Sequence, residues 1–566
     1  MVTEKQPSGR SRKWQDLVQY LVLIGIIIVA NILAQRFFFR LDLTEDNRYS
    51  IAPATKEILE NLDDVVYVEV YLEGEFPAGF KRLQQAIEET LEEFRIYGGD
   101  NIQYQFVDPS ANPDIKARNE YYQQLAKKGI QPTNLFAIEG DKRVEKVIFP
   151  GAIVSYRDKE IPLLLLKGNQ ALSPDQQLNQ SVEGVEYELA SAIRKLTVVK
   201  KRKIGFVEGH GELPVIEMAD FVATLQQYHD VSRIDLPNKI SLKEYDAIVI
   251  ARPTEKFSEP DKFKIDQFIM GGGKVMFCID PMNINLDSIG EEGTFSFPYQ
   301  LNLDDLFFKY GVRLNADLIQ DINSGYIPMV VGITGNQPQT QMMNWRFYPL
   351  VNNFSNHPIT RNLDAVYSKF IGTIDTVKAT GITKTPLILT SPYSRIMQAP
   401  VPLTLEEARM EVRPEQYQAG PLPVGYLLEG TFTSLFRNRR APEGVDAKTV
   451  KEKGKYTRIA VFSDGDLIRN DVNARTGQAY ELGFDRYNNV TFANKELAIN
   501  TVHYLLDGEG LINVRSKEIK LRPLDRVRVK EEKTFWQLLN LGAPIVMLAV
   551  FGLYRYYMRR RKYEKF

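Results

Sequence analysis

A glycine-rich turn, Val207-Glu208-Gly209-His210-Gly211-Glu212, follows an apolar run and precedes a helical pattern. Carboxylates and an imidazole in such a turn are what an open parallel sheet offers a ligand, because its crevice forms outside the carboxyl ends of the strands. Two further strand ends have this character, at Cys278-Ile279-Asp280-Pro281 and at Phe462-Ser463-Asp464-Gly465-Asp466. Glu208, His210, Glu212, Asp280, Asp464 and Asp466 therefore form a candidate polar cluster. Converging in one cleft, they would suit a hydrolase or a protein binding a small ligand or a metal at His210. The competing reading is local: Glu208 and His210 shape a turn, Asp280 precedes a proline, and Asp464 and Asp466 cap the next helix. One His beside scattered acids has no recognisable metal-ligand spacing.

Other chemistry is sparse. Cys278 is the only cysteine, so an internal disulfide framework and any multi-cysteine zinc or iron-sulfur site are excluded. As the nucleophile of a class I glutamine-amidotransferase-like sheet, Cys278 would have to sit on a sharp strand-to-helix turn. It lies inside an apolar run instead, which predicts a buried, inert thiol. No Gly-x-Ser-x-Gly, phosphate-binding loop or His-Glu-x-x-His is present, and His229, His357 and His503 are isolated. The sequence thus points to no cofactor and no enzyme. A formal net charge of -1 without a basic stripe argues against nucleic acid as a partner.

The elements that would position these residues fall into two domains. With 44% hydrophobic and 25% charged residues the chain can bury sizeable cores. Over residues 51–200, apolar residues at helical spacing (53–62, 80–97, 115–128, 183–196) interleave with alternating or apolar strand patterns (65–72, 102–107, 135–139, 144–150, 161–166). This order is compatible with a thioredoxin-like α/β domain; without Cys-x-x-Cys it has no redox chemistry. Residues 201–515 read as a doubly wound parallel-sheet domain of the non-catalytic, amidotransferase-like kind. Strands are expected at 203–208, 231–236, 245–251, 274–279 and 456–462, with helices at 218–229 and 494–506 and one capped by Ser258 and ended by Gly271-Gly272-Gly273. Residues 283–454 interrupt it as an insertion, with strands of its own at 385–390 and 424–432 and exposed loops suited to a partner.

Two uncharged apolar runs bracket this material. Residues 17–35 hold Leu21-Val22-Leu23-Ile24-Gly25-Ile26-Ile27-Ile28-Val29, and 534–554 hold Ile545-Val546-Met547-Leu548-Ala549-Val550-Phe551. At about 1.5 Å per residue, each can cross a hydrocarbon core of about 30 Å. A signal peptide is disfavoured for the first because no small-x-small site follows it. The expected order is a cytoplasmic tail (1–16), a first span (17–37), a stem (38–50), the two domains, a basic juxtamembrane segment (516–533), a second span (534–554) and a basic tail (555–566). Lys5, Arg10, Arg12 and Lys13, together with Arg559, Arg560 and Arg561, place both termini in the cytoplasm and the large domain outside. The basic run from Arg515 to Lys533 weakens that charge argument.

The stem Phe38-Phe39-Arg40-Leu41-Asp42-Leu43-Thr44-Glu45-Asp46-Asn47-Arg48-Tyr49-Ser50, the turn around His210, Gly271-Gly272-Gly273-Lys274-Val275, Tyr426-Leu427-Leu428-Glu429-Gly430-Thr431-Phe432 and the terminal anchor together resemble the GldG family. These are gliding-motility-associated ABC transporter auxiliary proteins of Bacteroidota, and the likeness runs over essentially the whole chain. It implies an inner-membrane complex with a polytopic permease and a cytoplasmic ATPase as separate subunits, a periplasmic large domain, and interaction or coupling in place of catalysis. A second copy of the chain is a further partner to expect. The resemblance supplies no catalytic residues.

Overall fold

The computed structural model describes residues 9–36, 50–139, 142–167, 173–198, 201–286, 289, 293–335, 337–440, 442, 450–508, 510–516 and 526–563. The stem expected at 38–50, apart from Ser50, and residues 517–525 of the basic segment lie outside the described residues. Two compact units are present, one of residues 1–42 and 49–517, the other of residues 43–48 and 518–566.

In the first unit, helices α1 (Gly9–Arg36) and α2 (Pro53–Glu60) precede β1 (Val66–Val70), α3 (Ala78–Gly98), β2 (Ile102–Phe106) and α4 (Ile115–Lys127). The hairpin β3 (Thr133–Glu139) and β4 (Lys142–Ile148) leads to β5 (Gly151–Tyr156), β6 (Lys159–Leu164) and α5 (Pro174–Thr197). One sheet has the order β2-β1-β5-β6, with β1 parallel to β2 and the other pairs antiparallel. Val66, Val68 and Val70 of β1 are buried while Tyr67 and Glu69 are half-exposed, so the alternation predicted for this strand holds. Leu83, Ile87, Leu91 and Phe94 recur at helical spacing and bury one face of α3. β5 was not anticipated: its Gly151, Ala152, Ile153 and Val154 are all buried, and burial on both faces erases the two-residue period. α5 begins nine residues before the expected start at 183, since Ser173 and Gln176 close a capping box and Pro174 fits the first turn.

The second sheet is built on β7 (Lys203–Glu208), β8 (Asp230–Asp235), β9 (Ala247–Ala251) and β10 (Lys274–Cys278), with α6 (Ala219–Gln226) after β7 and α7 (Glu259–Met270) before β10. β8, β7, β9, β10 and the strand Lys453–Phe462 run parallel. Pro423–Thr433, Ile382–Leu389 and Asn353–Phe354 then continue the same sheet antiparallel, to eight strands. The expectation of a parallel sheet is therefore corrected to a mixed one, and the strands foreseen within 283–454 extend the main sheet instead of forming one of their own. Burial pattern tells which residues are inside but not which way a strand runs, and that is why the sequence misled. The same segment also holds a long hairpin, Ser324–Thr334 with Gln337–Val351.

Both faces of the central parallel strands are covered, whereas β8 at the edge is mostly exposed. Ala247, Val249 and Ala251 belong to a core with Phe221 and Leu225 of α6 and Leu497 and Val502 of α9 (Asn494–Leu506), since α8 (Asp304–Tyr310) lies on the opposite side. Ile248 and Ile250 belong to the other core, with Ile265 and Ile269 of α7 and Leu306 and Phe307 of α8. Polar groups tie that layer down: fully buried Asp266 accepts from Tyr310 Oη at 2.8 Å and from Ser434 Oγ at 2.7 Å.

The second unit contains α10 (Arg526–Tyr563). Its stretch Arg528–Arg561 is the one helix among the described residues long and apolar enough to cross a membrane, and none of its apolar window is buried. The apolar part of α1, Leu17–Val29, is shorter.

Leu497 is fully buried between α9 and the sheet. Leu497→Ala is expected to lower stability by about 2–5 kcal/mol, read from the denaturation midpoint, because the cavity left there has rigid strand residues on one side.

Candidate functional site

The carboxyl ends of the parallel strands carry most of the candidate residues, in two separate sets. Asp280, two residues beyond β10, is buried; its Oδ2 accepts from Arg252 Nε at 2.7 Å and its Oδ1 from the Gly465 N–H at 2.6 Å. Arg252 Nη1 also lies 3.4 Å from Asp466 Oδ1, and Arg469 bridges that same oxygen, at 3.2 Å, to Glu217 Oε2 at 2.6 Å. Asp464, wholly enclosed, accepts the Asp466 N–H at 2.9 Å. Burial and the repulsion of Asp466 and Asp280 push the Asp464 carboxyl well above the ordinary range. The same two causes, burial and Asp466, outweigh Arg252 and raise Asp280 to about 6.

Local backbone makes the packing possible. Arg252 adopts φ +53°, a left-handed conformation that side-chain-bearing residues seldom take, so neighbours must hold it. Its N–H donates to Cys278 O at 2.8 Å. A Cβ on Gly465 would come within 2.6 Å of Arg252 Cγ and 2.8 Å of Asp280 Cγ, so only glycine lets the turn after Lys453–Phe462 press against these side chains.

His210 belongs to the other set. The ring stacks on Phe257 with centroids 3.8 Å apart, Nε2 is 3.3 Å from Asp261 Oδ2, and Nδ1 is 3.4 Å from Glu212 Oε1. Burial favours the neutral ring, but the two carboxylates outweigh it and hold the imidazole above its ordinary value. Asp261 is itself held by Ser258 Oγ at 2.6 Å and Lys264 Nζ at 2.9 Å, where Ser258 caps α7. Glu208 takes no part and pairs with Arg233. Among the described residues, no ion pair or hydrogen bond joins the His210 set to the Asp280 set, and no group of three or more His, Cys, Asp or Glu side chains could hold a metal.

The strand order reverses between β7 and β9, the place where an open sheet usually binds ligand. Here the chain stitches that crevice shut. Thr254 N and Glu255 N donate to His210 O at 2.9 and 2.8 Å, and Leu213 N donates to Ala251 O at 3.0 Å. The candidate residues are instead engaged within the chain, His210 with Glu212 and Asp261, and Asp280 and Asp466 with Arg252. Cys278 lies fully buried in β10, and burial followed by Asp464 and Asp280 pushes its thiol well up, an unreactive state. Sequence reasoning missed Arg252, Arg469, Glu217 and Asp261. For Arg252 a signal existed, a charge directly after the five-residue apolar run of β9, whereas Asp261 was noticed only as part of a helix cap.

A mixed α/β protein with, among the described residues, one membrane-length apolar helix and a sealed sheet edge is the class these features define. The chain belongs to the family described as an ABC-type uncharacterized transport system, which matches residues 201–501. A domain of unknown function matches residues 45–155. Membership supports an accessory role in an ABC transport system, and with α10 it supports membrane association. An uncharacterized protein of Borreliella burgdorferi is 20% identical over 548 residues, covering 92% of this chain and 94% of that relative. Among solved structures, the mmIFT52 N-terminal domain is similar at 13% identity, covering 56% of this chain and 100% of that one with TM-score 0.31. A ThuA-like protein from Parabacteroides merdae is similar at 12% identity, covering 58% and 94% with TM-score 0.27. Likenesses at these scores carry nothing about function.

The raised Asp280 carboxyl has a pH signature. A native pKa of about 6, above the ordinary 3.8, means stability from this group is complete below about 4 and is lost as pH rises to about 6. Relative to wild type, Asp280→Asn is expected to gain stability progressively from pH 4 to 6 and then level off, measured by urea denaturation at each pH.

Proposed function

We propose that the chain is a membrane-anchored periplasmic auxiliary subunit of an ABC transporter, one that acts by protein–protein contact or mechanical coupling and catalyses no reaction. The observation that carries this reading is the closed crevice between β7 and β9, where backbone hydrogen bonds occupy the position a ligand would take. The acids that would do chemistry are spent on Arg252, Arg469 and Lys264. Family membership supports the transporter context. ATP hydrolysis falls to a separate cytoplasmic ATPase, since this chain has no phosphate-binding loop, and a polytopic permease is the partner for the membrane helices.

In this reading α1 and α10 both span the inner membrane, both termini are cytoplasmic, and the large domain is periplasmic. The order β2-β1-β5-β6 supports a thioredoxin-like assignment for the first domain, and the five parallel strands with helices on both faces support an amidotransferase-like one for the second. A role in gliding motility, and an origin in Bacteroidota, rest on the resemblance of the stem and anchors to the GldG family. Replacing both apolar helices with unrelated ones is expected to leave the soluble part folded while abolishing co-purification with the permease. Undiminished co-purification counts against helix packing as the means of coupling.

The rival reading, a hydrolase or a metal- or ligand-binding protein, needs His210 and Asp280 in one working site. Double substitution, His210→Ala with Asp280→Ala, is expected to leave transport-dependent function within about twofold of wild type once folding is matched. A loss of function at matched folding would revive the rival.

A further inference from the structure

At the opposite end of the second sheet, where the parallel strands begin, a cavity of about 840 Å³ opens between α5, the end of α6, α9 and the turn Leu511–Ser516. Sites for small molecules typically occupy about 300–1,000 Å³. Six cationic side chains line it: Arg194, Lys195, Lys201, Arg202, Lys203 and Lys243. Three carboxylates face them, and these are largely engaged. Asp246 pairs with Arg202 at 3.1 Å and accepts the Lys203 N–H at 2.9 Å, Asp507 lies 3.6 Å from Arg194, and Glu244 pairs with Lys239. Among the described residues, Lys195, Lys201, Lys203 and Lys243 form no ion pair. Lys195 Nζ sits instead over the Tyr228 ring, 4.3 Å from its centroid.

Two imidazoles complete the wall, His229 and His503, with ring centroids 5.8 Å apart. Both ring nitrogens of His229 are buried and have no hydrogen-bond partner, which is costly unless something binds there. Burial and then Lys195 and Lys201 hold His229 down at about 4, and burial with Lys195 keeps His503 well below its usual value. Both rings are therefore neutral at pH 7, and each has one N–H to give.

Four ammonium groups without an ion pair among the described residues, two guanidinium groups and two neutral imidazoles lining one cavity call for a ligand with more than one negative charge and several oxygens. A carboxylate brings one charge and two oxygens; a phosphate group brings up to two charges and three free oxygens. Tyr187, Tyr245 and Leu511 add surface for an organic part. We propose that this cavity is a binding site for a phosphate-bearing organic anion. It stands apart from the sealed carboxyl edge and does not depend on the transporter reading.

A soluble phosphate compound and the headgroup of an anionic phospholipid share this chemistry, and two arms separate them. Full-length protein in phosphatidylcholine nanodiscs is titrated with inorganic pyrophosphate by calorimetry, and the same protein in nanodiscs containing phosphatidylglycerol is assayed for retained lipid by native mass spectrometry. Saturable binding of one pyrophosphate per chain is expected, weakened at least tenfold by Lys195→Gln and by Lys243→Gln but unchanged by Arg475→Gln on an exposed loop. Lys243 is exposed, so its variant keeps the fold even if Lys195→Gln does not, and melting curves report on both. Retention of phosphatidylglycerol that both lysine substitutions abolish, without pyrophosphate binding, would assign the site to a lipid headgroup. Binding in neither arm, or binding indifferent to both lysines, overturns the proposal.

Discussion

Burial of the parallel strands on both faces is the constraint from which the rest of the second domain follows. Every residue of β9 is buried, because alternate side chains enter two different cores. Around the two central strands charge then collects at the ends: Asp246 before β9 and Arg252 after it, Lys274 opening β10 and Asp280 beyond it. The sheet thereby sorts its polar groups into two rims. What each rim can do depends on whether its charges are matched within the protein.

At the carboxyl rim they are matched, and magnitudes show how. Two unit charges about 4 Å apart interact by about 4 kcal/mol at an effective dielectric of about 20, while stranding one member of a buried pair costs about 3–5 kcal/mol. Asp280 and Asp466 share Arg252, and Arg469 supports Asp466. Asp464 has no ion-pair partner among the described residues, and burial with the repulsion of Asp466 and Asp280 raises its carboxyl. A carboxyl raised in this way would ordinarily mark a catalytic acid. Here the group is enclosed and its Oδ1 accepts a backbone N–H, so the shift records packing.

Much of this was legible in the residues. β7, β9 and β10, the cap at Ser258 and the burial of Cys278 all follow from apolar runs with turn residues at their ends. The direction of Pro423–Thr433 was not, for a buried strand reads alike whether its neighbour is parallel or antiparallel. β5 was hidden by the same lack of period. The six acidic and histidine candidates were correctly placed at strand ends, yet their grouping depended on long-range partners. Asp261 lies in α7 and Arg469 beyond the last parallel strand, and no local pattern announces that one will meet His210 and the other Asp466. Clusters of acids near glycines look alike in sequence whether they await a ligand or an arginine.

The amino rim differs because its cations come from elements with separate structural duties. Lys201 caps the last carbonyls of α6 through Gln226 O at 3.1 Å, Arg194 and Lys195 lie in the last turn of α5 where the helix dipole favours positive charge, and Arg202 satisfies Asp246. Each is explained singly, but their sum is not, since nothing local to any one of them requires six cations around one cavity. Burial is the main cause of the lowered basicity of Lys195 and His229, and for His229 the nearby charges of Lys195 and Lys201 add to it. At the carboxyl rim the repulsion among acids is relieved inside the molecule by Arg252 and Arg469. At the amino rim Asp246 and Asp507 balance Arg202 and Arg194, while Lys195, Lys201, Lys203 and Lys243 have no ion pair among the described residues, so an anion from outside the chain would relieve what is left.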